Sequence, residues 1–251
     1  MGNFLNIVER DLRRLWNYKL FIFTESLTFL VQIFIYAYIL SFLIDPAELN
    51  YTQFYAAGVM IMTLWSFGMW AAWEIVDERS EGVIDYHLTL PISRAEYIVG
   101  RMIGGAVRTL IYSIPLFIIF LFVTGIESIW NLLSVFGLLI LFAFGVTGMG
   151  IIIGTTTLEH SKLNFILGLI DAFLIRLSTI YYPESAMQYW MKFASRINPL
   201  THAADALRWG LGLSDDPVTL YAVLFLVIFS LIFIGVAVRI YGKRMEGGLA
   251  T

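Results

Sequence analysis

Six apolar stretches, each long enough to cross a bilayer as one helix, dominate this chain. They cover about residues 20–44, 54–75, 103–126, 130–154, 163–182 and 219–241. A hydrocarbon core about 30 Å thick needs roughly 20 apolar residues at the helical rise. Lipid offers the backbone no hydrogen bonds, so each stretch must satisfy its own N–H and C=O groups as a helix. Only 14% of the 251 residues are charged, against about 25% in a water-soluble domain. The expected fold is an all-α polytopic membrane protein. Residues 1–251 then form a single transmembrane domain with no room for a soluble catalytic one. The apolar run that follows the basic N-terminal segment is about 25 residues long. A cleavable signal has roughly 7–15, so this run is expected to stay as a span.

Orientation follows from Lys and Arg in the loops. One side carries Arg10, Arg13, Arg14, Lys19, Arg79, Arg94, Arg101, Lys162, Arg239, Lys243 and Arg244. The other carries Lys192, Arg196 and Arg208. Eleven against three places both termini in the cytoplasm, in a multi-pass protein of the cell membrane. Residues 4–16 set Phe4, Val8, Leu12, Leu15 and Trp16 against Glu9, Arg10, Arg13 and Arg14. That pattern suits an amphipathic helix lying in the inner interface.

After the second span the chain reads EIVDERSEGVIDYHLTLPISRAEYIVGR. Glu74, Asp77, Glu78, Arg79 and Glu81 are expected on a charged helical extension that leaves the membrane. Gly82 ends it in a left-handed conformation. Val83, Ile84, Leu88 and Leu90 form a short apolar stripe that Pro91 stops. Ser93 to Glu96 reads as a capping box opening the next helix. The short helix fits a cleft on a protein partner; lying in the headgroups as a plain connector is the other reading the residues allow.

The external segment 183–218 is also patterned. Pro183 ends span five, and Met187, Trp190, Met191 and Ala194 predict an amphipathic helix over 185–195. Asn198-Pro199 breaks it, and Thr201 is expected to cap a second helix running through Arg208. Neither piece can span, so both belong in the outer leaflet or dip back into the protein. They form either a passive lid or an external gate.

Glu25, Arg108, Asp171 and Arg176 are ionisable groups inside the spans, where an unpartnered charge costs a few kcal/mol or more. Asp171 and Arg176 are about 140° apart around their helix, so each needs a partner elsewhere. Asp171 faces either the translocation path, a subunit interface or a polar contact between helices. Gly100-xxx-Gly104 and Gly150-xxx-Gly154 permit close helix approach, and Pro115 is expected to kink span three. Asn50-Tyr-Thr52 is a sequon on the outer side. With no cysteine and no Walker A or HExxH sequence, thiol chemistry, nucleotide hydrolysis by this chain and a zincin site are not expected. The predicted topology puts His87 and His160 inside and His202 outside, which denies the histidines a shared metal. A net charge of −3 without a basic block gives nucleic acid no grip.

The segment ERSEGVIDYHLTLPISRAEYIVGR (78–101) resembles the region between spans two and three of type-2 ATP-binding cassette exporter permeases. There a charged E-R-x-x-G run precedes a short helix and a P-[IL]-S-R step. YYPESAMQYW…INPLTHAADALR (181–208) is similar to the family's external segment, with its Pro-led turn, Trp, Asn-Pro-Leu-Thr and closing Leu-Arg. The resemblance implies a permease for drugs, lipids or polysaccharides, paired with a second permease copy or paralogue and bound to separate nucleotide-binding ATPase subunits. ATP and Mg then sit on the partner, and this chain needs no cofactor of its own. Carried over residue by residue, Glu78, Arg79, Glu81, Gly82, Pro91 and Arg94 belong to the coupling region. Pro183, Trp190, Asn198, Pro199 and Arg208 belong to the outer gate. One departure concerns IDAFLIRLSTIYYP, where Asp171 and Arg176 replace the apolar residues usual in a span that borders the pathway. Two other readings are an ion-coupled carrier using Asp171 near the midplane and a non-transporting membrane scaffold.

Overall fold

The computed structural model describes residues 19–37, 39, 50–83, 94–125, 128–213 and 218–246. Every regular element among them is helical. Helix α1 spans Lys19–Val31 and continues as a π-helical turn, Gln32–Ala37. Helices α2 (Tyr51–Ser80), α3 (Arg94–Thr124) and α4 (Ile129–Thr156) follow. Then come α5 (His160–Arg176), a 3-10 turn (Glu184–Ala186), α6 (Tyr189–Arg196), α7 (Pro199–Gly210) and α8 (Val218–Glu246).

Among the described residues, four helices, α2, α3, α4 and α8, are long and apolar enough to cross a membrane. The six predicted spans are therefore matched in four places. Helix α5 stops at Arg176 after 17 residues, about 26 Å at the helical rise. The predicted fifth span loses its last six residues to the turns at 177–183, because Thr179 is drawn into contact with α7 and Ile180 into contact with α2. The first predicted span is described over 19–37 only. The amphipathic helix predicted at 4–16 and the short helix with His87 and Pro91 lie outside the described residues.

The centre of the bundle is α2, which is buried along most of its length. It lies against α4, where Gly154 lets the backbones meet. A Cβ there would sit 2.5 Å from the Ala72 carbonyl oxygen, and one at Gly150 would sit 3.0 Å from that of Gly68. This is the close approach that the small-residue spacing anticipates. Trp65, Phe67, Tyr112, Phe120 and Phe142 fill the space between α2, α3 and α4. Helix α8 packs beside α4, with Ser230 Oγ donating to the Leu141 carbonyl (2.8 Å). Outward faces of α1, α5 and α8 remain apolar, with Phe23, Phe34, Phe165, Phe173, Leu224 and Leu231 exposed, as lipid-facing helices require. Helix α3 runs through Pro115 as one element.

Candidate functional site

Polar side chains collect at the two ends of α2. Helix α2 ends at Ser80, and Gly82 follows with φ +70°, the left-handed geometry expected of a glycine after a helix. Along this end the predicted charged extension divides by face. Asp77 and Glu81 are exposed, but Glu74 and Glu78 turn inward. Glu78 pairs with Arg101 on α3 (3.2 Å), and Glu74 pairs with Arg108 and with Arg101 (3.7 Å). The two glutamates are one turn apart and the two arginines two turns apart on a facing helix, so the four interleave as a ladder. Buried charges persist only when paired and hydrogen-bonded. The ladder is therefore the partner that Arg108 required. It also means that Glu78, 1% exposed, fixes α2 against α3 and presents no charge to the outside.

Arg79 reaches across to α4. Its Nη1 donates to the Thr157 carbonyl (3.0 Å) and its Nη2 to that of Thr155 (3.2 Å), covering carbonyls left free at a helix C-terminus. His160 at the start of α5 hydrogen-bonds Asp77 (2.6 Å). The ends of α2, α4 and α5 are thus tied together. Pro91 is outside the described residues, and Arg94 opens α3.

At the opposite end, the sequence-derived boundaries shift. The helix predicted over 185–195 begins at Tyr189 instead, because residues 184–186 form a separate turn after Pro183. Met187 is buried, while Tyr189, Trp190, Phe193 and Ile197 form an exposed apolar face. Asn198 and Pro199 begin the next helix as well as ending the last. Asn198 Oδ1 accepts from the Leu200 N–H (2.9 Å), and Pro199 takes the first helical position, where its missing N–H costs nothing. The cap predicted at Thr201 moves to Asn198 for that reason. Thr201 hydrogen-bonds Ser195 instead (2.9 Å). Asn198 Nδ2 also donates to the Leu174 carbonyl (2.7 Å), closing the end of α5.

Helix α7 is buried on nearly every side, and Arg208 is its anchor. The guanidinium lies 3.5 Å from the centroid of the Phe54 ring. It donates to the Phe54 carbonyl (3.2 Å), the Thr179 carbonyl (2.7 Å), Thr179 Oγ1 (3.2 Å) and Asp205 Oδ1 (2.7 Å). Burial pushes the Arg208 guanidinium below its usual range, and Asp205 opposes that shift. His202 lies in the same helix, with Nε2 2.8 Å from the Arg196 carbonyl and its ring 4.0 Å from that of Phe225. Burial lowers its pKa as well.

Between the two ends, Asp171 Oδ1 accepts from Trp65 Nε1 (2.7 Å). This contact bridges α5 to the middle of α2. Glu25 is half-buried on α1, and Arg176 is exposed at the end of α5, its carbonyl accepting from the Tyr182 hydroxyl. Sequence reading did not single out Trp65, Glu74, Arg101, Thr179 or Asp205 as site residues. The Glu74/Glu78 and Arg101/Arg108 spacings carry a signal for the ladder, since each pair shares a helix face. Trp65 and Thr179 carry none, because their partners are more than 100 and nearly 30 residues away.

Comparison with known proteins places the chain among membrane permeases. The profile described as ABC-2 type transporter matches residues 2–212. The chain is similar to a protein named transport permease ycf38 from Cyanophora paradoxa, 26% identical over 67% of this chain and 59% of the relative. It is also similar to the daunorubicin resistance ABC transporter permease protein DrrB1 of Streptomyces coeruleorubidus, 25% identical over 65% of this chain and 58% of the relative. A ycf38 permease of Porphyra purpurea matches at 24% identity, over 64% and 56%. The chain thus spans less than two thirds of the length of these relatives.

Proposed function

This chain belongs to the ABC-2 type transporter family as a multi-pass membrane permease, and we propose that it exports an amphipathic compound, a lipid or a glycan, driven by ATP hydrolysis on separate subunits. Residues 1–251 act as one transmembrane domain, and two permease copies or paralogues make the working unit. ATP and Mg belong to the partner. The ladder end of α2 faces the cytoplasm, as the Lys/Arg asymmetry of the loops argues, and both termini lie on that side of the cell membrane.

One observation carries the reading. Helix α2 runs the length of the bundle and is gripped by polar networks at both ends, through Glu74, Glu78 and Arg79 at one and through Phe54 and Arg208 at the other. A push on the segment through Gly82, Pro91 and Arg94 is then passed along a single stiff helix to the gate residues Pro183, Trp190, Asn198, Pro199 and Arg208. Glu78 and Arg79 hold that rod in place, and the exposed Asp77 and Glu81 meet the partner.

The test is ATP turnover by the chain purified with its nucleotide-binding partner. The expected result is a stable complex whose turnover depends on the permease. Glu81→Arg should abolish that dependence while leaving the fold intact, since Glu81 is exposed and Asp77, which holds His160, is kept. A chain that captures no such ATPase, or a complex indifferent to the charge reversal, refutes the assignment.

A further inference from the structure

Of the two short external helices, α7 is buried in the protein and α6 is not. Within α6 only Ser195 is buried, where it hydrogen-bonds Thr201 of α7 (2.9 Å). Tyr189, Phe193 and Ile197 recur every four residues with Trp190 beside them, on the side turned away from Ser195. These four are between 58% and 90% exposed. So much contiguous apolar surface on eight or nine residues marks a contact face. Trp190 Nε1 donates to Gln188 Oε1 (2.9 Å), so the indole has one polar edge and one apolar face, the arrangement that suits the headgroup level of a bilayer.

Arg176 explains itself from the same neighbourhood. Phe165, Leu169 and Phe173 form an exposed apolar stripe along α5. Arg176, three residues beyond Phe173, falls on that stripe at its outer end and is exposed. Asn198 joins this end of α5 to α6. Its Nδ2 donates to the Leu174 carbonyl (2.7 Å), two residues before Arg176, and Asn198 itself stands two residues after Arg196. The C-terminal ends of α5 and α6 therefore meet, each with an arginine in its last turn. Lys192 lies one turn before Arg196, and both flank the Tyr189 edge of the apolar face. Glu184 pairs with Arg196 (3.1 Å). Among the described residues no carboxylate pairs with Arg176 or Lys192. Three cations against one carboxylate give this apolar surface a net positive rim.

We propose that α6 lies flat in the outer leaflet as a docking surface for anionic phospholipid, with Tyr189, Trp190, Phe193 and Ile197 sunk between the lipids and Arg176, Lys192 and Arg196 selecting the headgroup charge. A lipid surface satisfies both halves of the helix at once: aromatic rings enter the acyl boundary, while long basic side chains reach back to the phosphates. An anionic headgroup is favoured over a zwitterionic one because choline cancels the phosphate charge that the three cations meet. The bonds from Ser195 to Thr201 and from Asn198 to α5 then anchor the external segment to the leaflet through α6. The inference needs the chain to be in a membrane and does not depend on ATP coupling, so the full-length chain alone can test it.

The probe is bromine on the acyl chains, which quenches tryptophan on contact. The full-length chain is placed in phosphatidylcholine nanodiscs that carry either brominated phosphatidylglycerol or brominated phosphatidylcholine as the minor lipid. The difference between wild type and Trp190→Phe isolates the Trp190 signal from the other tryptophans. Trp190 should be quenched by both lipids. Half-quenching should need about fivefold or more less of the glycerol lipid, since each cation near an anionic surface contributes about that factor. Arg176→Gln/Lys192→Gln, which leaves the Arg196–Glu184 pair in place, should bring the two lipids together, and added salt should do the same. Phe193→Asp should reduce quenching by both. Trp190 untouched by either lipid, whether it faces water or is covered by a second copy of the chain, overturns the proposal. So does equal quenching by the two lipids in wild type, a preference that survives Arg176→Gln/Lys192→Gln, or quenching that Phe193→Asp leaves unchanged. The ATP-turnover test reads the other end of the bundle, so the two can fail separately.

Discussion

Replacing Glu74 by leucine should be among the most damaging single changes in the membrane region, and replacing Arg108 as well should largely repair it. Glu74 and Arg108 are nearly inaccessible, and Arg108 has no other carboxylate partner among the described residues. Arg101 keeps Glu78 when Glu74 is lost, so the uncompensated charge falls on Arg108. Breaking a buried pair by removing one member costs about 3–5 kcal/mol, because the remaining charge stays desolvated. For a chain of this size about 2–4 °C is lost per kcal/mol, so the melting midpoint should drop by roughly 6–20 °C. In Glu74→Leu/Arg108→Leu the ladder retains one Arg and one Glu, and two apolar side chains fill the vacated volume. Replacement of a buried pair by apolar residues is often neutral or stabilising. The double variant should therefore melt within about 2 kcal/mol of wild type. The assay is a double-mutant cycle on purified protein in one detergent or nanodisc, read by thermal unfolding. Losses that simply add, leaving the double variant worse than either single, would refute the argument that Glu74 exists to neutralise Arg108.

Arg208→Lys should loosen the external segment, because an ammonium cannot reproduce the fork on Phe54, Thr179 and Asp205; hydrogen exchange across residues 177–210 should rise, with about 2–4 kcal/mol lost. Gly154→Ala places a Cβ 2.5 Å from the Ala72 carbonyl oxygen, which forces α2 and α4 apart at a cost of about 1–3 kcal/mol, visible as a lower melting midpoint. His202 is depressed in the folded state below its ordinary value of 6.5. The unfolded chain takes up that proton first, so its contribution is intact above about pH 6.5 and is lost as the pH falls. His202→Gln should flatten this slope, and an unchanged pH profile of unfolding would exclude His202 as its source.

The relation between sequence and structure is clearest in these same residues. Hydrophobic run length identified α2, α3, α4 and α8, because bilayer thickness imposes one length scale on every spanning helix. The glycine after α2 and the close approach at Gly150 and Gly154 were legible too, since each depends on local geometry. Boundaries near polar residues were not. Helix α5 stops at Arg176, and α7 starts from Asn198, because Asn198, Thr179 and Arg208 bond to segments distant in the chain. A list of in-span charges shows that Arg108 and Asp171 each need a partner, by the cost of an isolated charge in lipid. Only the packing of α2 against α3 and α5 assigns Glu74 to one and Trp65 to the other, since periodicity fixes which face a side chain occupies but not which helix comes to meet it.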